Sequence, residues 1–532
     1  MRKDALVLTL VVVVVLGLVL WVGDLRRFDP SDVSVVLQGD GVTHQLGWEF
    51  FRQQPLQFPF GELPGYLWPA GTSLTQTDSI PLVALALRPF SAVLPSSFQY
   101  FGLWLLFCHT AAALFAWRAL QLLGVDVVGR ACGAVVVATS AFLFARWVHP
   151  ALCAHFLVLA AFVWALEPSR TRTRIALAAS LALTVGVHPY LAVMVAAIII
   201  GTSLRDRTRS LEALVHVLLA IAVAFALGVV GDGGELAHAR GYGTYAFDVL
   251  GFINGPAARI GRVLSFDASN SEGFAYVGVG VLVWLAIAVV VIVRRGQRPK
   301  GLGALFIVCG VLCLFAVSLH VSIAGIYVVD FAHLSLLFEP VPSMLRATGR
   351  FAWPLAYLLM LFAVAVVARM RPVHARAILV LGTLLHIVDV VPNQEPSSGT
   401  LPPDAAQFLA VAAQYRTIEV LPPAFAFVEC AGADAREGSR YRDPSWIAAR
   451  AGWSVNAGYA ARARATRLES YCTSFWEQLK AGPASEFIYV LHAEGTLDNR
   501  WRCGTTILGT TCVDARNTDS LATSLAASPA SR

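Results

Sequence analysis

The sequence predicts an α-helical polytopic membrane protein with about 11 transmembrane helices and a small C-terminal α/β domain. Of the 532 residues, 57% are hydrophobic and only 14% are charged, and the mean hydropathy is +0.65. Basic residues cluster between long apolar segments, and the composition becomes that of a soluble domain after residue 391. This pattern excludes an ordinary soluble enzyme. The absence of a basic stripe interleaved with aromatic residues argues against a nucleic-acid partner.

The apolar segments predict the transmembrane helices in chain order. The first segment, residues 5–22, is longer than a typical signal-peptide core and is not followed by a small-residue cleavage site, so we expect an uncleaved span. The other expected spans are 100–123, 131–146, 151–166, two within 175–204, 211–230, 274–293, 302–319, 351–367 and 375–391.

Residues 175–204 are too long for one span. As a single helix this segment of about 30 residues would extend about 45 Å, against a hydrocarbon core of about 30 Å. Both of its flanks are basic, and the positive-inside rule places them on the same side of the membrane. We therefore expect two short helices that turn at His188-Pro189-Tyr190.

The basic clusters also predict the orientation. They place the N-terminus in the cytoplasm and the C-terminal domain outside. The expected exterior parts are a large first loop at 23–97, the turns at 146–150 and at His188, loops at 231–273 and 320–350, and the chain from residue 392 onward.

Residues 392–516 are expected to form the exterior α/β domain. Alternating and amphipathic patterns predict its elements. These are strands at 417–420 and 487–491, a helix at 444–451, and a hairpin over 501–513 around Gly509.

Four cysteines of this domain, Cys430, Cys472, Cys503 and Cys512, allow three disulfide pairings in an exterior compartment. We expect Cys503 to pair with Cys512 first, because a short hairpin brings both within bridging range. Residues 517–532 are rich in Ser and Ala and are expected to be disordered.

Asp40 is the most prominent acidic residue of the first exterior loop. It lies between two glycines, just before a segment whose Leu46, Phe50 and Phe51 predict the apolar side of a short helix. Flanking glycines let a ligand approach closely, which suits an acidic side chain that acts at a membrane surface. The alternative is that Asp40 caps the following helix.

The chain resembles two groups of proteins. A first span, an acidic residue early in a large exterior loop, paired short helices and a C-terminal exterior domain resemble the GT-C membrane glycosyltransferases. More closely, the chain resembles an uncharacterised bacterial polytopic family, which has no activity to carry over but implies a bacterial inner-membrane protein with a periplasmic C-terminal domain. The motifs of this second resemblance are GDGVTHQLGWEFFR at 39–52, TDSIPL at 77–82, QYFGLW at 99–104, EGFAYVGVG at 272–280 and LRATGRFAWP at 345–354.

The GT-C resemblance implies a polyprenyl-phosphate sugar donor and a cell-envelope glycan, lipid or protein as acceptor. The acidic residue of the first exterior loop binds a metal or acts as a base in that group, which by position implies Asp40 as the catalytic residue. Many members have a second acidic residue there, and Asp40 has no acidic neighbour. A divalent metal ion would then need histidines, with Asp40, His44 and His149 as the ligand set. The alternative is that both histidines are neutral surface residues.

Exterior arginines are the expected phosphate-binding residues. Arg346 and Arg350 lie four residues apart before a span, so on a helix they would share one face and bind a lipid phosphate together. The alternative is that both reach lipid headgroups. Glu272 and Tyr276 are expected to line the same cleft, unless Glu272 caps a helix that begins at Phe274.

Polar residues at or inside the membrane are further site candidates, because they are costly without a partner. Arg146, His155 and His188 are the residues of this kind, and Arg146, like Glu272 and Tyr276, is expected to bind the substrate or its phosphate. We find no internal repeat and expect no buried carboxylate within the spans, which argues against a transporter. A non-catalytic scaffold or assembly factor for envelope polysaccharide explains the exterior domain equally well and stays open beside the transferase.

Overall fold

The structure is a computed structural model. It describes residues 2–167, 172–204, 206–229, 245–255, 258–262, 272–296, 299–331, 345–392, 404–425, 430, 441–462, 464–492 and 498–527. The chain forms two compact units, each built from separate stretches of sequence. Unit 1 comprises Met1–Pro30, Tyr100–Val223 and Ala239–Ser397, and unit 2 comprises Ser31–Gln99, Ala224–His238 and Ser398–Arg532.

Helices dominate the part of the chain that the structure describes. In chain order the α-helices are α1 (Arg2–Val22), α2 (Gly41–Gln53), α3 (Pro81–Leu87), α4 (Phe101–Leu122), α5 (Val127–Ala138), α6 (Ala141–Phe144), α7 (Phe156–Leu166), α8 (Arg172–Ala182), α9 (Pro189–Ser203), α10 (Arg207–Ala226), α11 (Val279–Arg295), α12 (Gly303–Val317), α13 (Trp353–Val367), α14 (Pro372–Val390), α15 (Ala406–Val411), α16 (Arg442–Ala451), α17 (Ala465–Ala481) and α18 (Ser520–Ala527).

The strands are short. They are β1 (Glu62–Leu63), β2 (Thr72–Ser73), β3 (His320–Ile323), β4 (Ile326–Asp330), β5 (Thr417–Leu421), β6 (Ala424–Phe425), β7 (Ser454–Val455), β8 (Ala457–Gly458), β9 (Phe487–Leu491), β10 (Trp501–Thr506) and β11 (Gly509–Asp514).

Several helices are long and apolar enough to cross a membrane, which makes the chain a multi-pass membrane protein. Among the described residues there are six of them: Arg2–Val22, Phe101–Leu122, Val127–Phe144, Thr208–Ala226, Thr348–Val367 and Pro372–Val390. Shorter apolar helices, such as α9 and α12, accompany them. The number of about 11 crossings and the orientation of the chain in the membrane stay predictions.

Residues 175–204 form two helices, as the length argument predicts. Helix α8 and a 3-10 turn at Leu183–Gly186 end before His188, whose Nδ1 accepts a hydrogen bond from the Tyr190 N–H at 3.1 Å. Pro189 is the first residue of α9, a position where its missing N–H costs no helical hydrogen bond. His188 is therefore the N-cap of α9.

Unit 2 joins the first loop to the C-terminal residues, an association that the sequence-based division at residue 391 does not anticipate. Helix α2 buries Leu46, Phe50 and Phe51, as its pattern predicts. The backbone of the loop bonds to the C-terminal sheet, because the N–H of Val455 donates to the carbonyl of Gly65 at 2.8 Å. These contacts are made between residues far apart in sequence.

The C-terminal sheet has the strand order β10-β11-β9-β5-β7. Strands β5, β7 and β9 are parallel, whereas β11 runs antiparallel to both β9 and β10. The predicted strands at 417–420 and 487–491, the helix at 444–451 and the hairpin around Gly509 are confirmed.

Two disulfides link the cysteines of this region. Cys503 and Cys512 lie opposite each other in the β10–β11 hairpin with their Cα atoms 4.1 Å apart, and they form the disulfide that the hairpin predicts. Cys430 pairs with Cys472, with a Cα–Cα distance of 5.3 Å.

The prediction of a disordered tail over 517–532 does not hold for Ser520–Ala527. These residues form α18, which packs against β10 and β11 and buries Leu521, Ala522 and Leu525. The prediction relied on the Ser/Ala-rich composition and did not consider that Leu521 and Leu525 lie four residues apart, on one side of a helix. Residues 528–532 lie outside the described residues.

Candidate functional site

Three side chains of unit 1 converge around the carboxylate of Glu272, and we name the four residues the Glu272 cluster: Arg146, His149, Glu272 and Arg350. Nη1 of Arg146 donates to Oε2 of Glu272 at 2.6 Å. Nε and Nη2 of Arg350 donate to the same oxygen at 3.1 and 2.6 Å. Nε2 of His149 lies 3.7 Å from Oε1. The structure thus brings together three predicted phosphate-binding candidates and one predicted metal ligand from distant parts of the sequence.

Two glycines bring Glu272 and Arg350 side by side. Gly273 follows Glu272 and Gly349 precedes Arg350, and their backbones touch: a Cβ atom on Gly349 would lie 2.4 Å from the Cα of Gly273. A larger residue at either position would force two backbones apart. The glycines of the motifs EGF and TGR therefore form one backbone contact. This contact places Glu272, beside Gly273, next to Arg350, beside Gly349.

Tyr190 supports the guanidinium group of Arg350. The Arg350 Cζ lies 4.9 Å from the ring centroid of Tyr190, in the range of a cation–π contact. The Tyr190 hydroxyl also accepts a hydrogen bond from the N–H of Ala347 at 3.0 Å, so the same side chain fixes the segment that leads to Arg350. The turn at His188, which starts α9, consequently positions part of the cluster.

Burial and neighbouring charge act in opposite directions on Glu272. Burial disfavours the ionised carboxylate, but the Arg350 guanidinium, the His149 side chain and Arg146 outweigh it and hold the pKa of Glu272 well below its ordinary value. Burial lowers the pKa of Arg146, although a guanidinium stays protonated at neutral pH. Two guanidinium groups around one carboxylate leave the cluster with a net positive charge.

Glu272 does not cap a helix. Helix α11 begins at Val279, and the residue before it is Gly278 with a φ of +90°. Residues 274–278 are not helical, so the helix starts later than the apolar run from Phe274 suggests. The capping alternative is wrong for Glu272, whose carboxylate is used by the two arginines.

Arg346 and Arg350 do not share a helical face. A 3-10 helix over Thr348–Ala352 contains Arg350, whereas Arg346 precedes it. The Cζ of Arg346 lies 5.9 Å from the ring centroid of Tyr245. Arg350 forms its guanidinium pair with Arg146 around Glu272 instead, and a phosphate-binding role for Arg346 stays a prediction.

Tyr276 is directed to Asp389. It is fully buried, and its hydroxyl donates to Oδ2 of Asp389 at 2.6 Å. The same carboxylate accepts hydrogen bonds from the backbone N–H groups of Ile260, Gly261 and Val279. A phosphate-binding role for Tyr276 stays a prediction.

Asp389 itself corrects the sequence analysis, which expected no buried carboxylate within the spans. It lies in the last turn of α14 and is 1% exposed. The signal was present in the sequence, because an aspartate inside an apolar span needs a partner. Backbone donors from a different part of unit 1 supply that partner, and no spacing rule predicts such donors.

His155 and His188 both have structural partners. Nδ1 of His155 lies 2.8 Å from the hydroxyl of Tyr357, and its ring lies 4.5 Å from the ring of Trp353. His188 caps α9, as described above. These contacts offset part of the cost of placing polar rings at or inside the membrane, although Nε2 of His155 is buried with no hydrogen-bond partner among the described residues.

Asp40, in unit 2, is an exposed carboxylate at the start of α2. Its backbone is helical, with φ of −67° and ψ of −19°, and none of the described residues of α2 donates a capping hydrogen bond to its side chain. The capping alternative is therefore not what the structure shows. Burial raises the pKa of Tyr441 to about 12, and the negative charge of Asp40 adds to the rise. Asp40 is thus electrostatically coupled to Tyr441 of the same unit.

His44 lies on the first turns of α2 and is close to Asp78. Its Nδ1 lies 2.9 Å from the carbonyl oxygen of Thr77, and because a carbonyl only accepts, Nδ1 is the donor of this hydrogen bond. A carboxylate oxygen of Asp78 lies within 4.8 Å of a ring nitrogen of His44. An imidazole oriented by a backbone carbonyl and paired with a carboxylate suits a divalent metal ion.

Sequence reasoning missed Asp78, an acidic residue of the first loop in addition to Asp40. The TDSIPL segment turns back through left-handed backbone at Asp78, φ +54°, and Ile80, φ +49°, which is costly for a β-branched residue. Ser79 Oγ donates to the carbonyl of His44 at 2.8 Å and holds this turn against α2. Neither position is a glycine, and Asp78 is the one residue of the two whose type favours left-handed backbone, so the sequence signal for the turn is weak.

The predicted metal ligands are divided between the two units. Asp40 and His44 belong to unit 2, whereas His149 belongs to unit 1, where it faces Glu272. A metal ion held by Asp40, His44 and His149 together stays a prediction.

Comparison with protein families gives two matches. The family described as "Domain of unknown function (DUF6311)" matches residues 12–391. The "DUF6311 C-terminal domain" matches residues 407–509. No curated protein matches the sequence.

Solved structures of the oligosaccharyltransferase of Archaeoglobus fulgidus resemble the chain at a coarse level. The structure tethered with an acceptor peptide is 11% identical over 85% of this chain and 64% of that chain, with a TM-score of 0.42. The complex of this archaeal enzyme, AglB, with an inhibitory peptide and a dolichol-phosphate is 13% identical over 91% and 69%, with a TM-score of 0.41. The complex with Zn and sulfate is 12% identical over 84% and 62%, with a TM-score of 0.37.

The chain thus spans 64% of the length of the first of these structures, which is less than two thirds. At these TM-scores the likeness assigns no activity and no residue role to this chain.

Proposed function

The chain belongs to the family described as "Domain of unknown function (DUF6311)", and we propose its function from the chemistry of its own residues. The protein is a membrane glycosyltransferase that transfers a sugar from a polyprenyl-phosphate donor to a cell-envelope glycan, lipid or protein. The reaction takes place on the periplasmic side of the bacterial inner membrane.

The observation that carries the proposal is the Glu272 cluster. Breaking the bond between a sugar and a lipid phosphate leaves negative charge on the departing phosphate, and fixed positive charge near it lowers the barrier. Arg146 and Arg350 are held side by side by one carboxylate, and their charge exceeds that of Glu272. Guanidinium groups bind phosphate oxygens in pairs of parallel hydrogen bonds. Glu272 therefore acts as the spacer that keeps both groups in place.

The second requirement is a base for the acceptor hydroxyl. Asp40 is exposed, and its carboxylate is the proposed acceptor of the proton while the acceptor oxygen bonds to the anomeric carbon. The bond between the anomeric carbon and the phosphate oxygen breaks in the same reaction, and the electron pair leaves with the lipid phosphate.

A divalent metal ion fits His44 and Asp78 as two of its ligands. Bound there, the ion would supply Lewis-acid polarisation of a phosphate or hydroxyl oxygen. Two hydrogen bonds orient these ligands. The carbonyl of Thr77 accepts from Nδ1 of His44, and the hydroxyl of Ser79 holds the backbone turn that contains Asp78.

The test uses two variants of the purified full chain in vesicles with radiolabelled polyprenyl-phosphate sugars. Asp40→Asn keeps size but removes proton acceptance, so we expect turnover to fall on the order of 100-fold while stability changes by less than about 0.5 kcal/mol. Arg350→Lys keeps charge but loses the planar fork, so the donor KM should rise before turnover is lost.

Arg376→Lys is the matched control, since among the described residues Arg376 forms only an exposed ion pair with Asp126, in the same unit as Arg350. It should leave both parameters unchanged. Full activity of Asp40→Asn would remove Asp40 from the mechanism. No turnover of any polyprenyl-phosphate sugar by the native chain would favour the non-catalytic scaffold instead.

A further inference from the structure

Unit 2 exposes a compact group of large apolar side chains, which we name the Phe58 patch: Leu56, Phe58, Phe60 and Phe225. Their exposed fractions are 48%, 57%, 40% and 58%. The ring of Phe58 lies 5.5 Å from that of Phe60 and 5.5 Å from that of Phe225, so the aromatic rings form one surface. A contiguous exposed apolar patch marks an interaction site more often than scattered apolar residues do.

The patch rests on a fixed base. The N–H of Phe60 donates to the carbonyl of Ala226 at 2.8 Å, and a Cβ atom on Gly61 would lie 2.5 Å from the carbonyl oxygen of Leu227. Next in the chain, both carboxylate oxygens of Glu62 accept hydrogen bonds from Nη2 of Arg464 at 2.8 Å. The aromatic side chains are therefore held outward by the backbone and by an ion pair behind them.

Phe225 connects the patch to a membrane-spanning surface. It lies in the last turn of α10, an apolar helix of which few residues are buried. Leu214, Leu218 and Ile221 precede it at helical spacing and are also exposed, by 54%, 57% and 58%. In a transmembrane helix such a stripe faces lipid. The Phe58 patch continues this stripe at the C-terminal end of the helix.

The local sequence is neutral. No charged residue occurs between Arg52 and Glu62, and the polar positions among them are glutamines. Residues 53–61 therefore offer no charged side chain with which a docking protein could pair. Uncharged polar residues mixed with aromatic rings are instead typical of segments at the boundary between acyl chains and headgroups.

We propose that the Phe58 patch inserts into the bilayer interface at the C-terminal end of α10. Its occupant is phospholipid: the rings of Phe58, Phe60 and Phe225 lie among the upper acyl-chain segments. The first loop of unit 2 is thereby attached to the lipid surface, independently of any transferase activity.

The test places the photoreactive amino acid p-benzoylphenylalanine at position 58 of the full chain, where it replaces a similar aromatic ring. The variant is reconstituted in vesicles of phosphatidylethanolamine and phosphatidylglycerol, illuminated and analysed by mass spectrometry. The matched control carries the same amino acid at Ile507, a 45% exposed apolar residue of unit 2 in the turn between β10 and β11.

We expect phospholipid adducts at position 58 in at least about tenfold excess over position 507, since burial in lipid separates the two sites strongly. Crosslinking between two copies of the chain would show that a second copy covers the patch, and would overturn the proposal. So would equal, low adduct yields at both positions. A second variant with the label at Leu56 repeats the test if the first does not fold, as judged by its thermal transition.

Discussion

Glu49 is a buried carboxyl group on α2, the helix that also carries His44. It is completely buried, and its Oε1 accepts a hydrogen bond from Nε2 of Gln45 at 2.9 Å. Its Oε2 has no hydrogen-bond partner among the described residues, and the nearest Arg52 nitrogen is 4.0 Å away. Burial raises the pKa of Glu49 to about 7, against the lowering effect of Arg52 and Arg450.

This shift makes the stability of unit 2 depend on pH. The folded protein binds the Glu49 proton more tightly than the unfolded chain does, so the group costs nothing below its ordinary pKa of 4.5. The free energy of unfolding then falls as the pH rises from 4.5 to about 7 and stays lowered above that. The full loss is about 3 kcal/mol.

Glu49→Gln removes the titration but keeps the acceptor that Gln45 uses. We expect this variant to be more stable than the native chain at pH 8 and to lose most of the pH dependence between pH 5 and 7. Thermal unfolding of the purified protein across this pH range measures the effect. Glu477→Gln, an exposed change in the same unit, is the control and should follow the native curve. An unchanged slope in Glu49→Gln would show that Glu49 is ionised throughout.

At the scale of elements, the contact between Gly273 and Gly349 joins the segment before α11 to the 3-10 helix before α13. Gly349→Ala would place a Cβ atom 2.4 Å from the Cα of Gly273, where only backbone can move. We expect a loss of about 1–3 kcal/mol in stability, together with a weaker ion pair between Glu272 and Arg350. The change should therefore lower donor binding as well as the thermal transition.

Gly310→Ala is the matched control, because Gly310 lies within α12 of the same unit and no described atom lies within 4 Å of its Cβ position. Replacing this helical glycine should stabilise the protein by up to about 1 kcal/mol. Equal effects of the two variants would contradict a specific role for the Gly273–Gly349 contact.

The elements that could be predicted from sequence are those with a clear periodicity. The apolar stripe of α2, the strands β5 and β9 and the β10–β11 hairpin follow directly from local patterns. The Glu272 cluster could be predicted only as a set of separate candidates, because backbone contact between two glycines assembles it. Asp78 was missed because its position depends on left-handed backbone at Ile80, a β-branched residue that disfavours this conformation. Both failures concern long-range or strained geometry that residue types do not encode.

At the scale of the whole molecule, the orientation in the membrane is still a prediction from the basic clusters. Lys300→Cys lies in one of these clusters and should react with a membrane-impermeant maleimide only after the cytoplasmic side is opened. Asp404→Cys, at the start of the C-terminal region, should react in intact cells once the outer membrane is made permeable. Both positions are exposed. Reaction of Lys300→Cys from outside would reverse the topology.

Unit 2 is built from stretches that are far apart in the sequence, and this affects how the protein folds during its synthesis. Helix α2 packs against α16, yet roughly 300 residues separate Gln99 from Ser398 in the chain. At about 5–20 residues per second, the ribosome needs roughly 15–60 s to synthesise this interval. During that time the apolar face of α2 has left the ribosome and its covering helix does not yet exist. We therefore expect a period during biogenesis in which the first loop is open to proteolysis unless a chaperone binds it.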